Sequence, residues 1–216
     1  MIINSKVIVL DLDDTLYSEM SYLKSAYKTI AQNISDDENV LYELMLSKYD
    51  NNENVFDFLV HTYSTSKKYL FELYRFHKPT IELYSGVLEF LDYYSSDSEI
   101  ALVTDGRSKT QRNKIKALGI AEYFDNIVIS EEIGSEKPNK DNFEQAILNT
   151  KGTCYFYIGD NISKDFVTPN KMGWTTICLK DQGQNIHKQN YTSPNEYHPN
   201  HCFESWSEIK YFFDNL

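Results

Sequence analysis

Five short apolar runs, separated by polar or helix-like stretches, constrain the fold of this chain more than any other feature. They cover residues 7–10, 100–103, 126–130, 154–158 and 174–179. Runs of this length, rich in β-branched and aromatic residues, fit strands buried on both faces. From Ser85-Gly86 onward the intervening stretches read as helices over 87–94, about 111–118, about 142–149 and roughly 164–172. Gly119 supplies the usual C-terminal stop of the second. Strands alternating with helices imply an α/β fold with a parallel sheet. The polar stretch 180–200 reads as a long loop, and 206–216 as a closing amphipathic helix.

Between the first run and Ser85 the period changes. From about 18 to 79 the apolar residues recur at three and four: Tyr22, Leu23, Tyr27 and Ile30, then Val40, Leu41, Leu44 and Leu46. The pattern continues through Val55, Phe56, Leu59, Val60 and Tyr63, then Tyr69, Leu70, Leu73, Tyr74 and Phe76. Polar breaks at 33–36, 50–52 and 64–66 divide it into about four helices. The expectation is an all-α insertion over 18–81, with 1–17 and 82–216 forming the α/β core.

Three carboxylates, Asp11, Asp13 and Asp14, crowd the end of the first run, and Thr15 follows them. Like charges this close repel, and each resists desolvation unless a cation or proton offsets it. The alternative is an Asp-rich turn capping the next helix. The later runs weigh against that. The second ends in Thr104-Asp105-Gly106, the third is followed by Lys137-Pro138, and the fourth ends in Gly159-Asp160, with Asp165 five residues on. In an open α/β sheet the carboxyl ends of the strands are where ligands bind. The four segments are therefore expected to meet at one edge.

Charge narrows the partners. A net charge of −11 argues against a nucleic-acid surface, which needs clustered Lys and Arg. A small phosphorylated ligand remains compatible, because a bound metal and one or two cations invert the field locally. Cys154, Cys178 and Cys202 have no close spacing and read as reduced thiols. No apolar run approaches the roughly 20 residues that span a bilayer. A cytoplasmic protein with no membrane partner, monomeric or weakly homodimeric, is the expectation.

With these segments in this order, the chain resembles the haloacid dehalogenase-like hydrolase superfamily from residue 7 to about 179, and its helical insertion is similar to the C1 type of cap. The resemblance implies a Rossmann-like core, bound Mg²⁺ and phosphoryl transfer through an aspartyl-phosphate. On that match Asp11 is the nucleophile, and Asp13 is the acid and base. Thr104 with the Asp105 and Gly106 amides would bind phosphate oxygens, and Lys137 would bring positive charge to the phosphoryl group. Asp11, the backbone carbonyl of Asp13 and Asp160 would hold the metal, and Asp165 would stand behind them. Dehalogenases and phosphonatases of the superfamily lack an Asp at the position of Asp13; phosphatases and phosphomutases keep it. The expected activity is hydrolysis of a sugar phosphate or nucleoside monophosphate. The alternatives are a phosphomutase of the β-phosphoglucomutase kind and a binding protein without turnover.

Arg75, His77 and Lys78 form a basic cluster where the insertion returns to the core. It reads first as cations favoured at a helix C-terminus, with leaving-group binding as the alternative. Arg107 and Gln111 are similar second-rank candidates for the pocket. His187, His198 and His201 make no convincing zinc set.

Overall fold

The computed structural model describes residues 6–216; residues 1–5, where the expected core begins, lie outside the described residues. The strands are β1 (Lys6–Leu10), β2 (Ser98–Thr104), β3 (Asn126–Ile129), β4 (Cys154–Gly159), β5 (Thr175–Leu179) and β6 (His201–Phe203). The helices between β1 and β2 are α1 (Glu19–Ile34), α2 (Glu38–Asp50), α3 (Val55–Tyr63), α4 (Lys67–Phe76) and α5 (Val87–Tyr94). Those that follow are α6 (Ser108–Leu118), α7 (Ser130–Ile133), α8 (Lys140–Ala146), α9 (Val167–Lys171) and α10 (Trp206–Asp214). None is long and apolar enough to cross a membrane.

All six strands pair in parallel, in the order β3-β2-β1-β4-β5-β6. This is the strand order of a Rossmann-like doubly wound sheet, and its crevice opens where the order reverses, between β1 and its neighbours. Residues of β1 alternate between two cores. Ile8 and Leu10 pack with Phe90 and Leu91 of α5 and with Trp206, Ile209 and Phe213 of α10. Val7 and Val9 pack on the opposite face with Phe143 and Ala146 of α8 and with Phe166 and Trp174. The four β1 side chains are wholly buried, worth roughly 1.5–3 kcal/mol each. That explains the unbroken apolar run.

Between β1 and α5 the chain makes four helices with a separate apolar core of Leu23, Tyr27, Ile30, Leu41, Met45, Leu59 and Leu70. Polar residues at or near the sequence breaks cap the last three: Asp37 accepts from the Val40 amide, Asn54 from Asp57 and Ser66 from Tyr69. Such caps are each worth about 1 kcal/mol. The backbone leaves toward these helices at Tyr17 and returns at Leu83, where the two segments bridge. At the return, the His77 ring bonds the Tyr74 carbonyl at 2.9 Å and the Ser25 hydroxyl at 3.1 Å.

Three local features depart from the sequence reading. The strand β6 was not expected; three residues on the sheet edge pair beside β5 with no apolar run to mark them. The third strand ends at Ile129, and Ser130 opens the short α7. The fourth core helix begins at Val167, not near Lys164, because the preceding residues wrap around the Asp165 carboxylate.

Candidate active site

Beyond the carboxyl ends of the strands lies a cavity of about 130 Å³, lined by Asp11, Asp13, Thr104, Asp105, Lys137 and Asp160 among others. The sheet order makes this convergence possible, since β1 lies between β2 and β4. The Asp11 amide, just past β1, donates to the Ile158 carbonyl of β4 at 2.9 Å. The indole N–H of Trp206 donates to the Thr15 carbonyl at 3.0 Å and anchors the turn that carries the carboxylates.

At the centre, Lys137 Nζ stands 2.5 Å from Asp11 Oδ1 and 2.8 Å from Asp165 Oδ1, and it donates to the Tyr157 hydroxyl at 3.1 Å. The Thr15 hydroxyl is 3.2 Å from Asp11 Oδ2 and 3.5 Å from Asp160 Oδ1. The other Asp160 oxygen accepts from the Asn185 amide group at 2.8 Å. Asp165 is fully buried and saturated: Lys137 and Tyr157 reach one oxygen, and the Asp160 and Asn161 amides reach the other at 3.1 and 2.8 Å. Gly159 is required there, because a Cβ would lie 2.5 Å from Asp165 Oδ2 and 2.9 Å from Tyr157 Cε1.

Burial and the neighbouring Asp165 push Asp11 up to about 7, although Lys137 opposes them. Burial, then Asp165, Asp11 and Asp14, drive Asp160 well above the ordinary carboxylate range. Burial would lower Lys137, yet Asp11 and Asp165 hold it well above its usual value. Oxygens of Asp11, Asp160 and Asp165 lie within 4.8 Å of one another. Three carboxylates against one ammonium leave two negative charges uncompensated. With Asp165 saturated, the hard carboxylate oxygens of Asp11 and Asp160 are the ones that fit a divalent cation of the Mg²⁺ type.

Asp13 is held differently. Lys114 Nζ donates to it at 2.7 Å, Gln111 Nε2 at 2.8 Å, and the Tyr17 hydroxyl also bonds it. Burial alone would raise its pKa, but these donors, Lys114 foremost, bring it below the ordinary value. Gln111 also donates to the Thr104 hydroxyl at 2.6 Å, linking the first two motifs.

Asp105 accepts from the Lys137 amide at 3.1 Å and from Lys164 Nζ at 2.8 Å, which fixes the loop carrying Lys137. Gly106 departs from expectation. Its φ of +137° suits glycine, but its amide donates to Ser130 Oγ at 2.9 Å and it does not line the cavity. The α7 turn that supplies Ser130 was not anticipated.

The second-rank candidates separate. Gln111 sits on the site, whereas Arg107 pairs with Glu131 at 2.6 Å on the surface. Arg75 lies over the Phe71 ring, His77 is buried in the helix return, and Lys78 is exposed. His187 lines the cavity; His198 packs against Tyr191 and His201 against Phe212. Sequence reasoning passed over Lys114, Tyr17, Glu19, Asn161, Lys164 and Asn185. Only Lys114 had a legible signal, lying one turn beyond Gln111 on the same helix face.

Known proteins resemble this chain in sequence and in fold. The family model described as haloacid dehalogenase-like hydrolase matches residues 2–179. The chain is 26% identical over 206 residues to a glyceraldehyde 3-phosphate phosphatase of Methanocaldococcus jannaschii, covering 87% of this chain and 90% of that one. It is 31% identical over 97 residues to the pyrimidine 5′-nucleotidase YjjG of Escherichia coli, covering 44% of this chain and 43% of that one. The crystal structure of the HAD-hydrolase YfnB of Bacillus subtilis bound to magnesium superposes with a TM-score of 0.68 at 18% identity, covering 98% and 99% of the two chains.

Proposed function

The chain belongs to the haloacid dehalogenase-like hydrolase family, and we propose that it is a Mg²⁺-dependent phosphatase of a small phosphorylated metabolite, working through an aspartyl-phosphate on Asp11. One observation carries this reading: Asp11, ion-paired to Lys137, shares one cavity with Asp13, Thr104 and Asp160. Relatives named as phosphatases, matched over most of their length, support it.

Asp11, Asp160 and the Asp13 carbonyl would hold Mg²⁺. When bound, that ion supplies the positive charge that lets an anionic nucleophile approach an anionic ester. A carboxylate oxygen of Asp11 attacks phosphorus while the bond from phosphorus to the leaving oxygen breaks. Lys137 and the Thr104 hydroxyl stabilise the charge on the transferring phosphoryl oxygens. Asp13 gives a proton to the leaving oxygen, then takes one from the water that attacks the aspartyl-phosphate. Inorganic phosphate departs and Asp11 returns as a carboxylate. Asp165, saturated by its four donors, orients Lys137.

The helices α1–α4 form the cap over this cavity, spanning about residues 18–81. A cap that closes would exclude bulk water during transfer.

The decisive assay is release of free phosphate from a panel of sugar phosphates, triose phosphates and nucleoside monophosphates with Mg²⁺, alongside acid trapping of labelled phosphoenzyme. The expected result is free phosphate and an acid-stable acyl-phosphate. Isomerisation with little free phosphate would make the chain a mutase, and no reaction across the panel would make it a binding protein.

A further inference from the structure

Most carboxylates on the cavity wall have a partner within the site. Asp11 and Asp160 face each other across Thr15, Asp13 is held by Lys114, and Asp105 is neutralised by Lys164 at 2.8 Å. Both Asp14 oxygens accept backbone amides, from Glu19 at 2.8 Å and Ile186 at 2.9 Å. Glu19 is different. It lines the cavity from the first turn of α1, on the cap side, and its carboxylate carries no hydrogen bond or ion pair among the described residues.

We propose that Glu19 is a specificity-determining residue that admits short leaving groups bearing hydroxyls and disfavours those bearing a second negative charge. The inference rests on the phosphatase reading of the cavity and extends it to the substrate class. Glu19 lines the cavity from α1 and not from a strand end, so it is assigned to the leaving group and not to the phosphoryl group. A carboxylate there accepts hydrogen bonds from hydroxyls, and a leaving-group carboxylate beside it would be repelled. Burial and the neighbouring Asp13 and Asp14 push Glu19 itself up to about 8 against the pull of Lys114, so its full negative charge is present only above that pH. The same surroundings act on any anion placed next to it. The Lys164 ammonium on the cavity wall is already paired with Asp105. Size points the same way, since about 130 Å³ is well below the roughly 300–1,000 Å³ of sites that take drug-sized ligands. A three-carbon polyol phosphate suits it better than a nucleotide.

The test compares glycerol 3-phosphate with 3-phosphoglycerate, which match in carbon count and differ by a carboxylate. All measurements are made at pH 9, where Glu19 is ionised. Free-phosphate release gives kcat/KM for each on the Mg²⁺-loaded wild type and on Glu19→Gln. Calorimetric binding of the same two compounds to Asp11→Asn, with and without Glu19→Gln, gives a readout that needs no turnover. The wild type is expected to prefer glycerol 3-phosphate by about tenfold or more. Glu19→Gln is expected to narrow that ratio severalfold, mainly through KM for 3-phosphoglycerate, and Glu19→Lys to reverse it. A ratio unchanged by Glu19→Gln in both assays, or a wild-type preference for 3-phosphoglycerate, overturns the role of Glu19. Selective binding without any phosphate release would support Glu19 while overturning the phosphatase reading.

Discussion

Lys114 and Asp13 form an ion pair 2.7 Å long, with the ammonium almost entirely buried on α6. Two residues away, Asp11 is paired with a different buried lysine, Lys137. Both lysines favour the ionised form, yet the two aspartates shift in opposite directions, because burial and Asp165 outweigh Lys137 at Asp11 while Lys114, Tyr17 and Gln111 outweigh burial at Asp13. Asp11 is pushed up to about 7 and Asp13 is brought below its usual value. A group held as a carboxylate is ready to accept a proton from water. To donate one it must first leave Lys114.

Lys114→Met is accordingly expected to act through Asp13. Without the ammonium, burial dominates, so Asp13 rises toward neutrality and less of it is ionised at a given pH. The acidic limb of the kcat profile should move to higher pH, with kcat near pH 6 falling by about tenfold or more. A lower activity with an unmoved pH profile would make Lys114 a packing residue only.

Asp11→Asn should remove turnover and phosphoenzyme while leaving the circular dichroism spectrum unchanged, because the amide replaces the carboxylate at the same volume. Asp13→Asn should slow turnover by about 10²–10⁴-fold, the usual value of general acid–base catalysis. If loss of the base exceeds loss of the acid, labelled phosphoenzyme accumulates in Asp13→Asn and is absent in Asp11→Asn. Acid-quench trapping separates the two variants.

Much of this was legible because burial leaves a mark on composition. β1, β2, β4 and β5 are covered on both faces and read as apolar runs, and the motifs at their ends stood out as polar residues where a core run stops. The cap helices were legible from their period and from cap residues such as Asn54 and Ser66. What was hidden has no local signature. β6 is a three-residue edge strand, and Asn185 and His187 arrive from an aperiodic loop. The Asp181 side chain folds that loop by accepting the Gly183, Gln184 and Asn185 amides. The bond from the Gly106 amide to Ser130 was equally hidden, because Ser130 depends on a turn that opens only once β3 has ended.

Gly159→Ala tests the packing behind Lys137. The new methyl would meet Asp165 Oδ2 and Tyr157 at distances no Cβ tolerates, and both are buried among fixed partners. Overpacking of this kind costs about 1–3 kcal/mol, which lowers Tm by roughly 2–12 °C in a chain of this length. Displacing Asp165 also frees Lys137, so kcat should fall even at temperatures where the variant is fully folded. Thermal melts and activity at 15 °C distinguish the two effects.

The last expectation concerns pH and metal together. Asp11 and Asp160 are both raised in the folded chain, so between about pH 4 and pH 7 the native state binds more protons than the unfolded one. Stability then falls as pH rises through that window, the reverse of an ordinary salt-bridged carboxylate. In the presence of a chelator, Tm should be higher near pH 5.5 than near pH 8. Mg²⁺ favours the ionised carboxylates, so it should raise Tm more at pH 8 than at pH 5.5. Differential scanning calorimetry at the two pH values, with EDTA and with Mg²⁺, gives the four numbers needed. An increment from Mg²⁺ that is equal at both pH values would mean that the ion binds away from Asp11 and Asp160.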